Sequence, residues 1–128
     1  MARVADYVIL QDDFFSNCEG RPGVQGQSNH PAQTFDFNMP PGFHAASRSI
    51  LMFVMQLKTS NVEFRIFLND QVTLFHAIIS VDNQWHSFHK VIPANSLKQS
   101  SSNKLKFALD GNGVVDFSDV VILCQANT

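Results

Sequence analysis

Two amphipathic aromatic residues and four polar residues are the side chains in this sequence whose types suit ligand binding. Indole and phenol rings stack on the C–H face of a sugar, while amide, guanidinium and imidazole groups bind its hydroxyls. The two rings are Trp85 and Tyr7, and the polar candidates in or beside polar loops are Asn29, Arg21, His44 and Arg48. A tryptophan that opens a strand is more often a core residue than a binding platform, so both interpretations of Trp85 stay open.

Four aspartates form a second set of chemically useful side chains: Asp12, Asp13, Asp116 and Asp119. The segment from Asp110 begins like an EF-hand calcium loop, with oxygen-bearing residues at its first, third and seventh positions. Val114 and Val121 stand at the fifth and twelfth positions, where that loop needs oxygen ligands, so an EF-hand is excluded. A solvated turn with an aspartate that caps backbone groups is the simpler interpretation.

The sequence contains no pattern that predicts catalysis or a zinc site. It lacks nucleophile-elbow, phosphate-loop and HExxH motifs. His86 and His89 are three positions apart, and on a strand this spacing directs the two rings to opposite faces. The adjacent Asp12 and Asp13 would also face opposite sides of a strand, and so would not form an acid–base pair. We therefore expect a protein that is not an enzyme and that has no certain cofactor.

The composition excludes two classes of partner. The chain has 9 lysines and arginines against 11 aspartates and glutamates, a formal net charge of -2, and so lacks the basic footprint of a nucleic-acid-binding protein. No apolar run approaches the roughly 18 residues that a membrane-spanning helix needs, and the short apolar start, interrupted by Asp6, is not expected to act as a secretory leader. We expect a soluble chain with no nucleic-acid or membrane partner; its localisation is not predicted.

Two cysteines, Cys18 and Cys124, lie far apart in the sequence and have no metal-binding spacing. Two independent buried thiols are the favoured interpretation. A disulfide is the alternative, and it requires that the first and last strands are neighbours.

Strand-like patterns recur about every ten residues and must position these side chains. Residues 61–69 alternate most cleanly, whereas residues 49–57 are apolar on both faces and predict a central strand covered on both sides. The other predicted strands are residues 3–10, 34–38, 72–79, 85–92, 104–109 and 114–124. Twelve phenylalanines against one tryptophan and one tyrosine also favour a packed β-rich core.

Glycine, proline and asparagine mark the connections between these strands. The run Asp110-Gly111-Asn112-Gly113 predicts a β-hairpin, because glycine and asparagine adopt positive φ at little cost. Residues 16–33 predict one long loop and residues 39–42 a second, and such loops are where binding residues usually lie. Residues 1–128 are therefore expected to form a single β-sandwich domain of about eight strands.

The order of motifs in the second half of the chain resembles a known family. A strand opens with Trp85-His86-Ser87-Phe88, Ile92-Pro93-Ala94-Asn95-Ser96-Leu97 follows, and Asn103-Lys104-Leu105 begins the next strand. Residues 115–123 close the pattern, residues 64–69 match its usual mid-domain strand, and Ser101 stands where glycine is usual. Over about residues 61–123 the chain resembles the galactose-binding-like β-sandwich superfamily, the jelly roll of many carbohydrate-binding modules.

The resemblance implies an all-β, antiparallel jelly-roll β-sandwich that acts as a non-catalytic carbohydrate-binding module or small lectin, with a glycan as its partner. Modules of this class often hold one structural calcium ion between their first and last strands, which implies Asp12 or Asp13 with Asp116 or Asp119 as carboxylate ligands. The alternative is a structural protein whose sheet face forms homo-oligomers or particle contacts. Phe67, Phe75 and Ile79 would then form the contact patch.

Overall fold

The computed structural model describes residues 2–11, 16–20, 32–57, 62–69, 72–79, 84–110 and 113–127. These residues form strands and connections, with no helix among them. The strands are β1 (Arg3–Gln11), β2 (Ser16–Gly20), β3 (Ala32–Phe37), β4 (Ser49–Leu57), β5 (Val62–Leu68), β6 (Val72–Ile79), β7 (Trp85–Ile92), β8 (Asn103–Asp110) and β9 (Gly113–Asn127).

The strands form two antiparallel sheets. Sheet A has the order β1-β9-β4-β7, and β2 pairs with the first part of β9; sheet B has the order β3-β8-β5-β6. Most sequence neighbours lie in different sheets, so the chain crosses repeatedly from one sheet to the other and closes a sandwich. The predicted all-β, antiparallel sandwich is confirmed.

The strand bounds differ from the prediction mainly at β2. Ser16–Gly20 is a strand, so the expected loop over residues 16–33 is wrong at its start, and its end overlaps β3. The sequence of β2 is polar and carries no alternation, and its pairing with residues 113–117 of β9 uses backbone groups that every residue type supplies. Sequence patterns that depend on hydrophobicity could not detect such a strand.

The predicted β-hairpin at residues 110–113 is also wrong. β8 ends at Asp110 in sheet B, and β9 begins at Gly113 in sheet A. The segment therefore connects the two sheets. Glycine and asparagine suit any sharp reversal of the chain, and this composition does not say whether the flanking strands pair with each other.

Phenylalanine rings fill the space between the sheets. Phe107 of sheet B stacks on Phe117 of sheet A, with ring centroids 4.5 Å apart, and meets Phe53 of sheet A edge-on at 5.5 Å. Phe53 in turn stacks on Phe88 of β7 at 5.5 Å. The buried hydrophobic residues described in β4 are Leu51, Phe53 and Met55, as expected for alternate positions that face a core. The excess of phenylalanine thus serves to join the two sheets.

The two cysteines are too far apart to form a disulfide, although β1 and β9 are neighbours. Cys124 pairs with Asp6 of β1, whereas Cys18 of β2 pairs with Val115 near the other end of β9. Positions 115 and 124 of one strand are about 30 Å apart, and a disulfide needs Cα atoms within about 7 Å. Cys124 is a free, buried thiol.

Candidate functional site

The outer face of sheet A carries a row of exposed apolar side chains. The strand register places Tyr7 of β1 opposite Leu123 of β9, Leu123 opposite Ile50 of β4, and Ile50 opposite Val91 of β7. Their exposed fractions are 58% for Tyr7, 39% for Leu123, 38% for Ile50 and 48% for Val91. We call these four residues the apolar row.

A second row lies beside the apolar row on the same face. Ile9 pairs with Val121, Val121 with Met52, and Met52 with His89. Ile9 is 56% exposed and Met52 39% exposed. The predicted central position of β4 is confirmed, because it lies between β9 and β7. The expectation that β4 is covered on both sides is wrong for the described residues, since the side chains of Ile50 and Met52 are open to solvent.

A group of polar side chains lies at one end of this face. Arg3 Nη1 donates hydrogen bonds to Ser47 Oγ at 3.1 Å and to Gln125 Oε1 at 3.0 Å. Ser47 Oγ lies 3.3 Å from Gln125 Oε1 and 2.6 Å from His44 Nδ1. We call Arg3, His44, Ser47 and Gln125 the polar cluster. Gln125 is diagonal to Tyr7 on the neighbouring strand, a Cα separation of about 7–8 Å, so the cluster adjoins the Tyr7 end of the apolar row.

Backbone contacts hold the loop that carries His44 and Ser47. Phe43 bridges to Ala126, and His44 N donates to the carbonyl of Gln125 at 2.9 Å. Gly42 has a φ of 78°, and its carbonyl accepts a hydrogen bond from Asn127 N at 2.8 Å. The side chain of Phe43 is buried. The loop therefore lies against the last residues of β9 and brings His44 beside Gln125.

The polar cluster offers both donors and acceptors to a ligand. If the Ser47 hydroxyl donates to Gln125 Oε1, His44 must donate from Nδ1, and in the neutral tautomer its Nε2 is then an acceptor. The Gln125 amide nitrogen and the guanidinium of Arg3 carry further donors. Sugar hydroxyls donate and accept hydrogen bonds at once, so this combination suits them.

The short contact between Ser47 and His44 pairs a hydroxyl with an imidazole, but none of the described acidic side chains hydrogen-bonds His44 to orient it as a catalytic triad requires. Ser47 Oγ is instead tied to Arg3 and Gln125. Cys124 is not a reactive nucleophile either, because burial, and then the charge of Asp6, raise the pKa of its thiol.

The structure brings together only part of the predicted sugar-binding set. Tyr7 and His44 lie at the same end of sheet A, and Arg48 is exposed just before β4. Trp85 is 46% exposed, so it is not a core residue; it pairs with Gln56 at the far edge of the same face, about 25 Å from Tyr7. Asn29 and Arg21 lie outside the described residues.

Sequence reasoning missed three members of the polar cluster: Arg3, Ser47 and Gln125. Arg3 and Gln125 are 122 positions apart, and they meet because β1 pairs with β9. No local pattern indicates that pairing. The outward position of Gln125 could have been found by continuing the alternation of Leu123 along β9, which runs to Asn127 and thus past the predicted end at residue 124.

The structure describes the side chain of one of the four predicted calcium ligands. Asp119 is exposed, has a φ of 52°, and lies where β9 changes partner from β2 to β1. Its Oδ2 accepts a hydrogen bond from Ser118 Oγ at 2.9 Å. Asp116 is described only as a strand position opposite Asn17 and Gln56, and Asp12 and Asp13 lie outside the described residues. The described part of the chain contains no group of three metal-ligating side chains, so calcium stays a prediction.

The contact patch predicted on sheet B is only partly described. Phe67 is half-buried, and Lys106 Nζ lies 5.7 Å from its ring centroid, so an ammonium group covers part of that ring. The side chains of Phe75 and Ile79 lie outside the described set. Where side chains are described, the exposed apolar surface therefore belongs to sheet A.

Within the described residues there is no helix of the length and apolar character that crossing a membrane requires. No protein-family model matches the sequence, and no curated protein matches it.

Several solved structures share the fold. The dimeric latent PorU of Porphyromonas gingivalis matches with a TM-score of 0.70 and 12% identity, over 99% of this chain and 13% of PorU. A family 35 carbohydrate-binding module from Clostridium thermocellum matches with a TM-score of 0.57 and 15% identity, over 92% of this chain and 97% of the module. A CBM4 structure matches with a TM-score of 0.53 and 14% identity, over 92% of this chain and 76% of that one. The chain thus has the β-sandwich fold of carbohydrate-binding modules, as its motifs predict.

Proposed function

We propose that this protein is a non-catalytic, lectin-like carbohydrate-binding module whose ligand binds at the Tyr7 end of sheet A. The observation that carries the proposal is the position of the exposed Tyr7 ring beside the polar cluster. A phenol ring provides a stacking surface, and the cluster supplies the hydrogen bonds that fix the orientation of a sugar on it. The fold supports the proposal, because two solved structures that share it are named as carbohydrate-binding modules.

The proposed site is open and organised before the ligand arrives. Arg3, Ser47 and Gln125 are held by mutual hydrogen bonds, so little side-chain freedom remains to be lost on binding. Tyr7 has two rotatable side-chain bonds and stands on a strand paired along its length with β9. A preformed site of this kind binds its ligand without a large entropy cost.

A glycan array tests the proposal, read with the wild-type chain in calcium and in chelator. The strongest hit is then titrated by calorimetry against Tyr7→Ala and Gln125→Ala, each of which should weaken binding at least tenfold. Thr34→Ala is the matched control, because Thr34 is an exposed strand residue of sheet B. Trp85→Ala should also leave the affinity unchanged.

Two outcomes contradict this proposal. The absence of any bound glycan in both conditions removes carbohydrate binding as the function. A loss of affinity in Trp85→Ala but not in Tyr7→Ala places the site at the other edge of the sheet. Neither outcome depends on whether the chain also binds calcium, since both conditions are measured.

Assembly is the second candidate function, and a specific observation favours it. Seven of the large hydrophobic side chains that are exposed lie on the outer face of sheet A: Tyr7, Ile9, Ile50, Met52, Trp85, Val91 and Leu123. Exposed apolar side chains gathered on one face in this way are typical of surfaces that another molecule covers. Light scattering coupled to size-exclusion chromatography separates the two candidates, because only assembly requires a particle heavier than one chain.

A further inference from the structure

We infer that the outer face of sheet A binds a second copy of this chain, so that two sandwiches stack face to face about a two-fold axis. The inference rests on the assembly candidate and specifies its partner. A second copy on this face covers Tyr7 and the polar cluster, so this dimer and a sugar at the Tyr7 end exclude each other. Its basis is the apolar row, the second row beside it, and the charges at the two ends of the same face.

The size and composition of this face suit a dimer interface. The exposed side chains of the two rows present on the order of 500 Å² of apolar surface, comparable to the largest apolar patch of a typical monomer, which is often functional. The polar cluster lies at one end of this patch and adds to the area that a second copy would cover; each partner of a standard interface buries roughly 800 Å². The rows contain no charged residue apart from the titratable His89 at one edge, so burying them leaves few charges without a partner.

The charges at the ends of the face select the orientation of the second copy. Arg3 pairs with Asn127 at one end of β9, and Asp119 lies near the middle of the same strand, on the other side of Leu123. Leu123 stands midway between Asn127 and Asp119. A two-fold axis that crosses the strands at Leu123 brings the Arg3 end of each protomer over the Asp119 end of its partner. The alternative axis, parallel to the strands, would bring like charges together.

In this geometry the apolar row of one protomer lies against the apolar row of the other. Residues on the axis face their own copies across two sheets stacked about 10 Å apart. Ser87 pairs with Val54 in another row, about 13 Å along the strand from Val91, so its two copies would be about 26 Å apart. Position 123 should therefore crosslink to itself and position 87 should not.

The first test is the mass of the wild-type chain by light scattering, measured at concentrations up to 100 µM with no saccharide present. A dimer is expected, and Leu123→Lys should raise its dissociation constant at least tenfold. Thr34→Lys introduces the same charge on the outer face of sheet B and should leave the dimer intact. A wild-type chain that is monomeric throughout overturns the inference, as does a dimer that Leu123→Lys does not weaken.

The second test measures the orientation. Leu123→Cys and Ser87→Cys are each made in a Cys18→Ser background and treated with a short bis-maleimide. Crosslinked dimer is expected for position 123 alone. Equal crosslinking at both positions, or crosslinking at position 87 only, overturns the proposed axis. Circular dichroism of each variant confirms that it is folded before its association is judged.

Discussion

Asn69 Nδ2 donates a hydrogen bond to Asn103 Oδ1 at 3.1 Å, and so links the end of β5 to the start of β8. Asn103 is buried, and its Oδ1 also accepts from Lys98 N at 2.7 Å while its Nδ2 donates to the Lys98 carbonyl at 3.0 Å. Both asparagines belong to the motifs that carry the family resemblance. These motifs therefore describe one hydrogen-bonded network that fixes the loop between β7 and β8.

Asn103→Ala should lower the free energy of unfolding by about 3 kcal/mol, because it leaves the Lys98 amide and carbonyl without their side-chain partners. Urea denaturation followed by fluorescence measures the loss. Ser100→Ala is the matched control: Ser100 is exposed in the same loop, and its change should stay within about 0.5 kcal/mol. Equal stability of the two variants would show that the network contributes nothing.

Asn69 contributes through its backbone as well as its side chain, and two substitutions separate these effects. Its φ is 53°, and its Oδ1 accepts from Lys104 N at 2.7 Å. Asn69→Gly keeps the positive φ accessible and removes only the side-chain bonds, for which about 1–2 kcal/mol is expected. Asn69→Ala should lose about 1 kcal/mol more in the same urea titration. If alanine is tolerated as well as glycine, backbone conformation is not a factor at this position.

Strand bounds and turn conformations are the parts of this fold that can be predicted from the sequence. The bounds of β4, β6 and β7 follow from their side-chain patterns, and the structure places them at the predicted residues. Ser101 replaces the usual glycine without strain, because the positive φ values of this region fall on Asn95 and Asn69 instead. Strand bounds and turn conformations of this kind depend on neighbouring residues, so they can be predicted from short stretches of sequence.

Local sequence patterns do not predict which distant strands pair with each other. Most of the candidate site depends on such pairing. The polar cluster exists because β1 lies beside β9 and because the loop before β4 bridges to Ala126. The exposure of the outer face of β4 likewise depends on the order of the strands in the two sheets. A strand that is apolar on both faces is predicted to be buried on both faces. Only the structure shows that none of the described residues covers Ile50 and Met52.

Gly42→Ala should destabilise the loop that carries His44 and Ser47. A Cβ at this position would lie 2.9 Å from the carbonyl oxygen of Asn127, and the φ of 78° is unfavourable for alanine. A loss of about 2–3 kcal/mol is expected in urea denaturation. Gly42→Asn separates the two causes, since asparagine tolerates positive φ but has the same Cβ. If the contact with Asn127 dominates, both variants lose similar stability; wild-type stability in both would contradict the prediction.

Ser49→Ala should stabilise the protein. Ser49 is buried at the start of β4, and its Oγ has no hydrogen-bond partner among the described residues. Removing an unpaired buried hydroxyl should recover about 1 kcal/mol, which for a chain of this size raises the melting temperature by roughly 4 °C. Differential scanning calorimetry measures the shift, with Ser100→Ala as the exposed control. A lower melting temperature in Ser49→Ala would mean that the hydroxyl has a partner, such as a bound water.

Calcium binding at the point where β9 changes partner should raise the melting temperature, because a ligand that binds only the folded state stabilises it. Asp119 is the described candidate ligand, and its φ of 52° determines which variant is informative. Asp119→Ala would add backbone strain to the loss of the carboxylate, whereas Asp119→Asn removes the charge and tolerates the same φ. We expect millimolar calcium to raise the melting temperature of the wild type, and Asp119→Asn to abolish most of that rise without changing the value in chelator by more than a few degrees. Magnesium at the same concentration controls for ionic strength. Identical melting temperatures for the wild type in calcium and in chelator would remove the calcium site.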